Sequence, residues 1–138
     1  MAAALVVATA TTGVGYAVAG DHRQRVVGPG VVTVTVGIEH SHFSVDRLQV
    51  RPGTLVRFVV HNHDPIGHEL IVGDAAVHAR HEDGREATHP PVPGEVSVRP
   101  GETAVTSYLF DDPGRMLYAC HLPGHFAYGM KGWVTVGG

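Results

Sequence analysis

The stretch Tyr118–Gly132, YACHLPGHFAYGMKG, concentrates the side chains of this sequence that could do chemistry. It holds the sole cysteine, Cys120, followed by His125 and Met130 in the spacing Cys-x4-His-x4-Met. Pro123-Gly124 supplies a turn, because glycine accepts the positive φ that a type II turn needs. Gly129 gives similar freedom just before Met130. The loop can therefore aim a thiolate, an imidazole and a thioether at one point. Soft sulfur donors beside an imidazole suit copper in both oxidation states, whereas zinc more often recruits further Cys or carboxylate and seldom a thioether. A lone cysteine also excludes an internal disulfide, a Cys-pair zinc site and a dinuclear copper centre bridged by two thiolates.

A copper site of this kind needs a second imidazole. His68 is the best candidate, in Asp64-Pro65-Ile66-Gly67-His68-Glu69-Leu70, a turn that leads directly into a strand. It is preferred to His61 and His63, which precede the same strand. The set is then His68, Cys120 and His125 in a plane with a weak axial Met130, the type 1 ligand arrangement. His121 follows Cys120 directly, so extended backbone points it to the opposite face, where exposure is expected. The pairs His40/His42 and His61/His63 read as surface histidines. His-x-His pairs also serve trinuclear copper clusters, but those enzymes need two or three domains of this kind and the chain has room for one. His78 and His81 share a face of a short helix, with His89 not far on. A weak second metal site there is the alternative to a solvated loop.

The elements that must position these groups are strands. Val32, Val34 and Val36 alternate with Thr33 and Thr35, a period of two. Further runs fall at 43–50, 54–61, 68–72, 95–99, 103–110, 115–120 and 132–137, with Pro52-Gly53 and Pro100-Gly101 as turns. In the run 54–61, Val56, Phe58 and Val60 share a face. About eight short strands between Gly/Pro turns predict an all-β fold, a Greek-key antiparallel sandwich. Residues 73–94 break the pattern as a long loop. Asp74 is placed to cap a short helix over AAVHARHED, with Gly84 stopping it.

Composition agrees. The 138 residues suffice for one domain and are 43% hydrophobic and 17% charged, with 18 Gly and 9 Pro. A formal charge of -3 and the absence of any long Lys/Arg run argue against a nucleic-acid partner. Residues 1–19 carry no charge and end in Ala17-Val18-Ala19, a small-x-small pattern. They are expected to be a signal peptide, or else an uncleaved N-terminal anchor on the outer side of the cytoplasmic membrane. Residues 20–30 then form a linker and 31–138 the domain. The expected location is periplasmic, extracellular or membrane-anchored.

Two segments carry a family resemblance: PIGHELIV around His68, and YACHLPGHFAYGMKGWVTV over the Cys-His-Met loop and last strand. They resemble the cupredoxins, the fold of plastocyanin, azurin, auracyanin and rusticyanin. The His-to-Met spacing is similar to that of rusticyanin, and the two segments together resemble small exported bacterial cupredoxins. The pattern runs over residues 30–137. The resemblance implies an eight-stranded sandwich holding one copper per chain, with no organic cofactor and no enzymatic activity. It implies one-electron transfer with a transient redox protein, leaving through His125 across a docking patch of Leu122, Pro123, Phe126 and Tyr128. Copper storage or delivery is the alternative, and an enzyme with a further copper on the spare histidines is a third reading. Azurin-like members carry Asn directly after the first histidine, where it ties the ligand loops together. Here that residue is Glu69, expected to brace the loops either as a carboxylate or as a protonated hydrogen-bond donor.

Overall fold

A computed structural model describes residues 15–17, 25–82, 88 and 90–138. The chain runs β1 (Gly15–Ala17), β2 (Val26–Val27), β3 (Gly30–Glu39), β4 (His42–Phe43), β5 (Arg47–Val50), β6 (Thr54–Asn62), β7 (His68–Gly73), α1 (Ala75–His81), β8 (Glu95–Val98), β9 (Thr103–Phe110), β10 (Gly114–Ala119), α2 (His125–Tyr128) and β11 (Lys131–Val136). One sheet has the order β1-β3-β6-β9, with β4 pairing β3; the other has the order β2-β5-β11-β10-β7-β8. The core lies between the two inner faces, with Val32, Val34, Val36 and Ile38 of β3 facing it beside Val56, Phe58 and Val60 of β6. Each such side chain contributes about 1.5–3 kcal/mol by leaving water.

The expected sandwich is present, but its sheets are mixed. β3 pairs in parallel with β6, and β5 with β11. Parallel neighbours need a crossover between them. The chain supplies it by visiting the second sheet, as β5, between β3 and β6. For the same reason the run expected over 43–50 is two strands, one in each sheet. The linker expected over 20–30 is partly structured, since Val26–Val27 pairs with β5 and Gly30 opens β3. The leader expected over 1–19 falls outside the described residues except for Gly15–Ala17, which pairs with β3. Asp74 caps α1 as expected, accepting from the Val77 amide at 3.0 Å. The helix stops at His81, ahead of Gly84, which lies outside the described residues.

Three strands of the second sheet matter most for the site. β10 pairs antiparallel with β7 on one side and β11 on the other. All six residues of β7 are buried, so His68 and Glu69 enter the interior with it. Tyr118 of β10 lies opposite Gly132 of β11. Its ring packs on Phe43 and Phe58, and its hydroxyl donates to the Val45 carbonyl. A Cβ at Gly132 would fall 2.2 Å from that ring. The aromatic ring thus sits directly beneath the Cys120 end of β10 only because residue 132 lacks a side chain. Gly132→Ala is expected to destabilise the fold by about 1–3 kcal/mol through overpacking. A denaturant midpoint equal to that of the wild type would contradict this packing.

Candidate metal centre

Three elements deliver the donors. His68 opens β7, Cys120 directly follows β10, and His125 begins α2. The loop between Cys120 and Met130 is closed by its own backbone. Cys120 N donates to Met130 O at 3.1 Å, Met130 N to His125 O at 3.0 Å, and His125 N to Leu122 O at 2.9 Å. Gly129 ends α2 at φ 111°, a left-handed conformation that lets the chain turn back to Met130. The predicted turning of His125 toward Cys120 is therefore present, with Sγ and Nδ1 3.3 Å apart. His68 Nδ1 lies 3.2 Å from His125 Nδ1. The ligand atoms of His68, Cys120 and His125 all lie within 4.8 Å of one another. Cys120 and His68 are buried, while His125 is half-buried. Met130 is fully buried at the end of the same loop.

The groups around these donors fix their chemistry. His68 Nε2 meets Asp64 Oδ2 at 2.8 Å, so its other nitrogen is the one turned toward Cys120 and His125. Asp64 also accepts the amides of His40 (2.7 Å) and Ser41 (2.8 Å), two residues with φ of 52° and 56° in the β3–β4 turn. Burial alone would raise the Asp64 pKa, but these hydrogen bonds and that of His68 hold it below the usual carboxylate value. Burial lowers the His68 pKa, offset in part by Asp64, and so favours the neutral ring that binds metals. Burial also pushes the Cys120 thiol up to about 11, against hydrogen bonds from the Glu69 and Leu122 amides. A thiol so placed ionises when a cation compensates its charge. Two imidazoles and a buried thiol whose ligand atoms lie this close together fit copper.

Glu69 sits where the sequence suggested. It is buried, and its Oε1 accepts from the His121 amide at 2.8 Å, joining β7 to the residue after Cys120. At this contact the carboxyl is the acceptor. The patch residues surround His125: Leu122 is half-buried, Pro123 exposed, Phe126 36% and Tyr128 65% exposed. His40, His42 and His63 are exposed and His61 meets Thr103 Oγ1, in accord with surface roles. His121 departs from expectation. It is 7% exposed, because α1 and Phe126 cover the face to which it points. His78 is also buried, rather than in a solvated loop. His81 is half-buried and meets Glu95, while His89 lies outside the described residues. Sequence reading missed Asp64 as a functional residue. Its signal was the Asp-x3-His spacing across Pro65-Ile66-Gly67, which brings a carboxylate back onto the histidine that follows.

A family model for copper binding proteins of the plastocyanin/azurin family matches residues 30–137. The chain belongs to this family. It is 28% identical over 137 residues to the copper-resistant cuproprotein CopI of Pseudomonas aeruginosa, covering 75% of each chain. It is 35% identical over 97 residues to CopI of Rubrivivax gelatinosus, covering 68% of this chain and 59% of that one. Among solved structures, auracyanin A, a blue copper protein of Chloroflexus aurantiacus, superposes with a TM-score of 0.63 at 25% identity, covering 78% of this chain and all of that one. The cofactor of this cupredoxin is copper, and His68, Cys120 and His125 form a group able to hold one ion.

Asp64→Ala removes the acceptor that orients His68 and the clamp on the His40–Ser41 turn. Copper affinity is expected to fall about ten- to a hundredfold, as read by competition with a chelator, and less in Asp64→Asn. Unchanged affinity in both variants would show that the His68 ring needs no such support.

Proposed function

We propose that this chain carries single electrons between redox partners outside the cytoplasm, with His68, Cys120 and His125 as copper ligands and Met130 as a weak axial donor. The observation that carries the reading is the convergence of His68 Nδ1, His125 Nδ1 and Cys120 Sγ from three separate elements in a buried setting. Copper held there supplies the one-electron couple. The protein's contribution is to keep the donors still. Asp64 fixes the His68 ring, the Glu69 and Leu122 amides face the Cys120 sulfur, and the Met130 and His125 backbones lock the loop. Ligands held this firmly reorganise little when the charge at the site changes. Glu69 acts as a brace, tying the strand of His68 to the segment of Cys120 and His121.

His125 is the half-buried member of the ligand group, so it is the proposed exit for the electron. Phe126, Tyr128, Pro123 and Leu122 around it form a small apolar surface, suited to brief contact with a partner protein. No helix among the described residues is long and apolar enough to cross a membrane. Export rests on the uncharged N-terminal segment and on the family.

Copper handling for resistance is the second reading, favoured by the name of the CopI relatives. The two part on reversibility. A carrier shows a reversible one-electron wave on an electrode and keeps its copper through repeated reduction, whereas a storage or delivery protein releases it. Met130→Gln is expected to lower the potential, since an oxygen donor favours Cu(II), and Met130→Leu to raise it. Equal potentials in all three proteins would mean that Met130 only packs beside the site.

A further inference from the structure

The single turn α2 carries His125, and its own sequence does little to hold it. It has four residues, Gly124 and Gly129 flank it in left-handed backbone at φ 82° and 111°, and no side chain among the described residues caps it. A helix this short has no stability of its own in water. Side chains fix how the turn lies on the sheet. Phe126 stacks on the His121 ring, with centroids 5.2 Å apart and planes 15° from parallel, and Lys131 Nζ lies 4.6 Å from the centre of the Phe126 ring. Tyr128 meets His42 at 5.0 Å, edge to face. The His121 ring is held in turn by α1. His78 Nε2–H donates to the Leu117 carbonyl at 3.1 Å, which leaves His78 Nδ1 to accept from His121 Nε2–H at 2.8 Å. Both residues are buried. α1 is anchored at each end. Asp74 caps it, Val77 packs so closely on Gly73 that a Cβ there would fall 2.6 Å away, and Arg80 and His81 meet the buried Glu95 of β8 at 2.7 and 3.2 Å.

We propose, on the reading of His125 as a copper ligand, that His78 is a positioning residue for it, acting through the His121 ring and the Phe126 ring stacked on that. Successive helical residues are turned by about 100°. α2 therefore directs His125 toward Cys120, 3.3 Å from its sulfur, while Phe126 leans away from the metal onto His121. Rotation of the turn about its axis would carry both side chains together, so a contact that pins Phe126 also pins His125. The route runs outside the sheet, from Glu95 of β8 through α1 and His121 to α2. It complements the internal one from Asp64 to His68. Each imidazole of the centre then has its own support, and such outer contacts fix ring orientation at metal sites. Phe126 thereby has a part inside the protein besides its place in the exposed patch.

Amide hydrogen exchange in the copper-free full chain tests this route. It is read at Tyr128 and Met130, whose amides bond Gly124 O and His125 O, against the amides of β6 as a measure of global opening. In His78→Leu the two loop amides are expected to exchange about tenfold faster, the effect of one lost buried hydrogen bond, with β6 unchanged. His78→Asn sets an amide oxygen near the place of Nδ1 and is expected to restore the wild-type rate. His78→Gln reaches only the Leu117 carbonyl and is expected not to. Phe126→Leu leaves α1 intact, so it guards against a folding defect, and is expected to match His78→Leu. In the copper-loaded protein the reduction potential of His78→Leu is expected to rise, since a loosely held imidazole favours Cu(I), and that of His78→Asn to return toward the wild type. Unchanged loop exchange in His78→Leu and Phe126→Leu, equal acceleration of β6 in both, or rescue by Gln and not by Asn would overturn the role of His78. Faster loop exchange with an unchanged potential would overturn its bearing on the ligand. A wild type without a type 1 spectrum would overturn the reading of His125 as a ligand, while the exchange rates would still decide whether His78 holds α2.

Discussion

The carboxylate of Asp64 is the joint on which the arrangement depends. It accepts two amides from the His40–Ser41 turn and one bond from the His68 ring. Asn62 supports it from behind: its side-chain oxygen accepts the Asp64 amide, and its NH2 donates to the Ile66, Val98 and Arg99 carbonyls. One network therefore links the β3–β4 turn, the end of β6, the β6–β7 turn and the end of β8. Polar groups buried in this way are costly unless satisfied. Here each bond that satisfies them also positions the His68 ring. Left-handed backbone at the non-glycine residues His40 and Ser41 costs of order 1–3 kcal/mol each, and the Asp64 clamp offsets that cost.

The thiol side of the centre is built on a different principle. Cys120 sits in the core cluster with Met130, so desolvation opposes its charge, and amides from Glu69 and Leu122 supply the countering dipoles. The carboxylate of Glu69 is occupied by the His121 amide. In the β7–β10 register, Tyr118 faces Val72 and Ala119 faces Ile71, which carries Glu69 to the position opposite His121. The sheet register thus sets both the approach of β7 to the sulfur and the brace beside it.

Much of this was legible in the sequence. The Cys-x4-His-x4-Met loop, with Gly124 and Gly129 as its pivots, contains most of the site locally, and Gly-His before an apolar strand marks His68. Strand positions were legible because β3 and β6 alternate cleanly. What escaped depends on the third dimension. Parallel pairing of β3 with β6 follows from a crossover that no local pattern encodes. The break in 43–50 is a change of sheet rather than a change of composition. Asp64 reads as a turn residue until its carboxylate is seen to face back onto His68. His121 was assigned to the correct face, but that face is covered: α1 docks closely against Gly73, where a Cβ would fall 2.6 Å from Val77.

The proposed function requires copper bound through the Cys120 thiolate in a His2Cys site. Optical and paramagnetic resonance spectra of the Cu(II)-loaded wild type and Cys120→Ser test it most directly. An intense visible thiolate-to-copper charge-transfer band, with a type 1 resonance, is expected in the wild type and is expected to be lost in the variant. A Cu(II) protein without that band, or one whose band survives in Cys120→Ser, would contradict it.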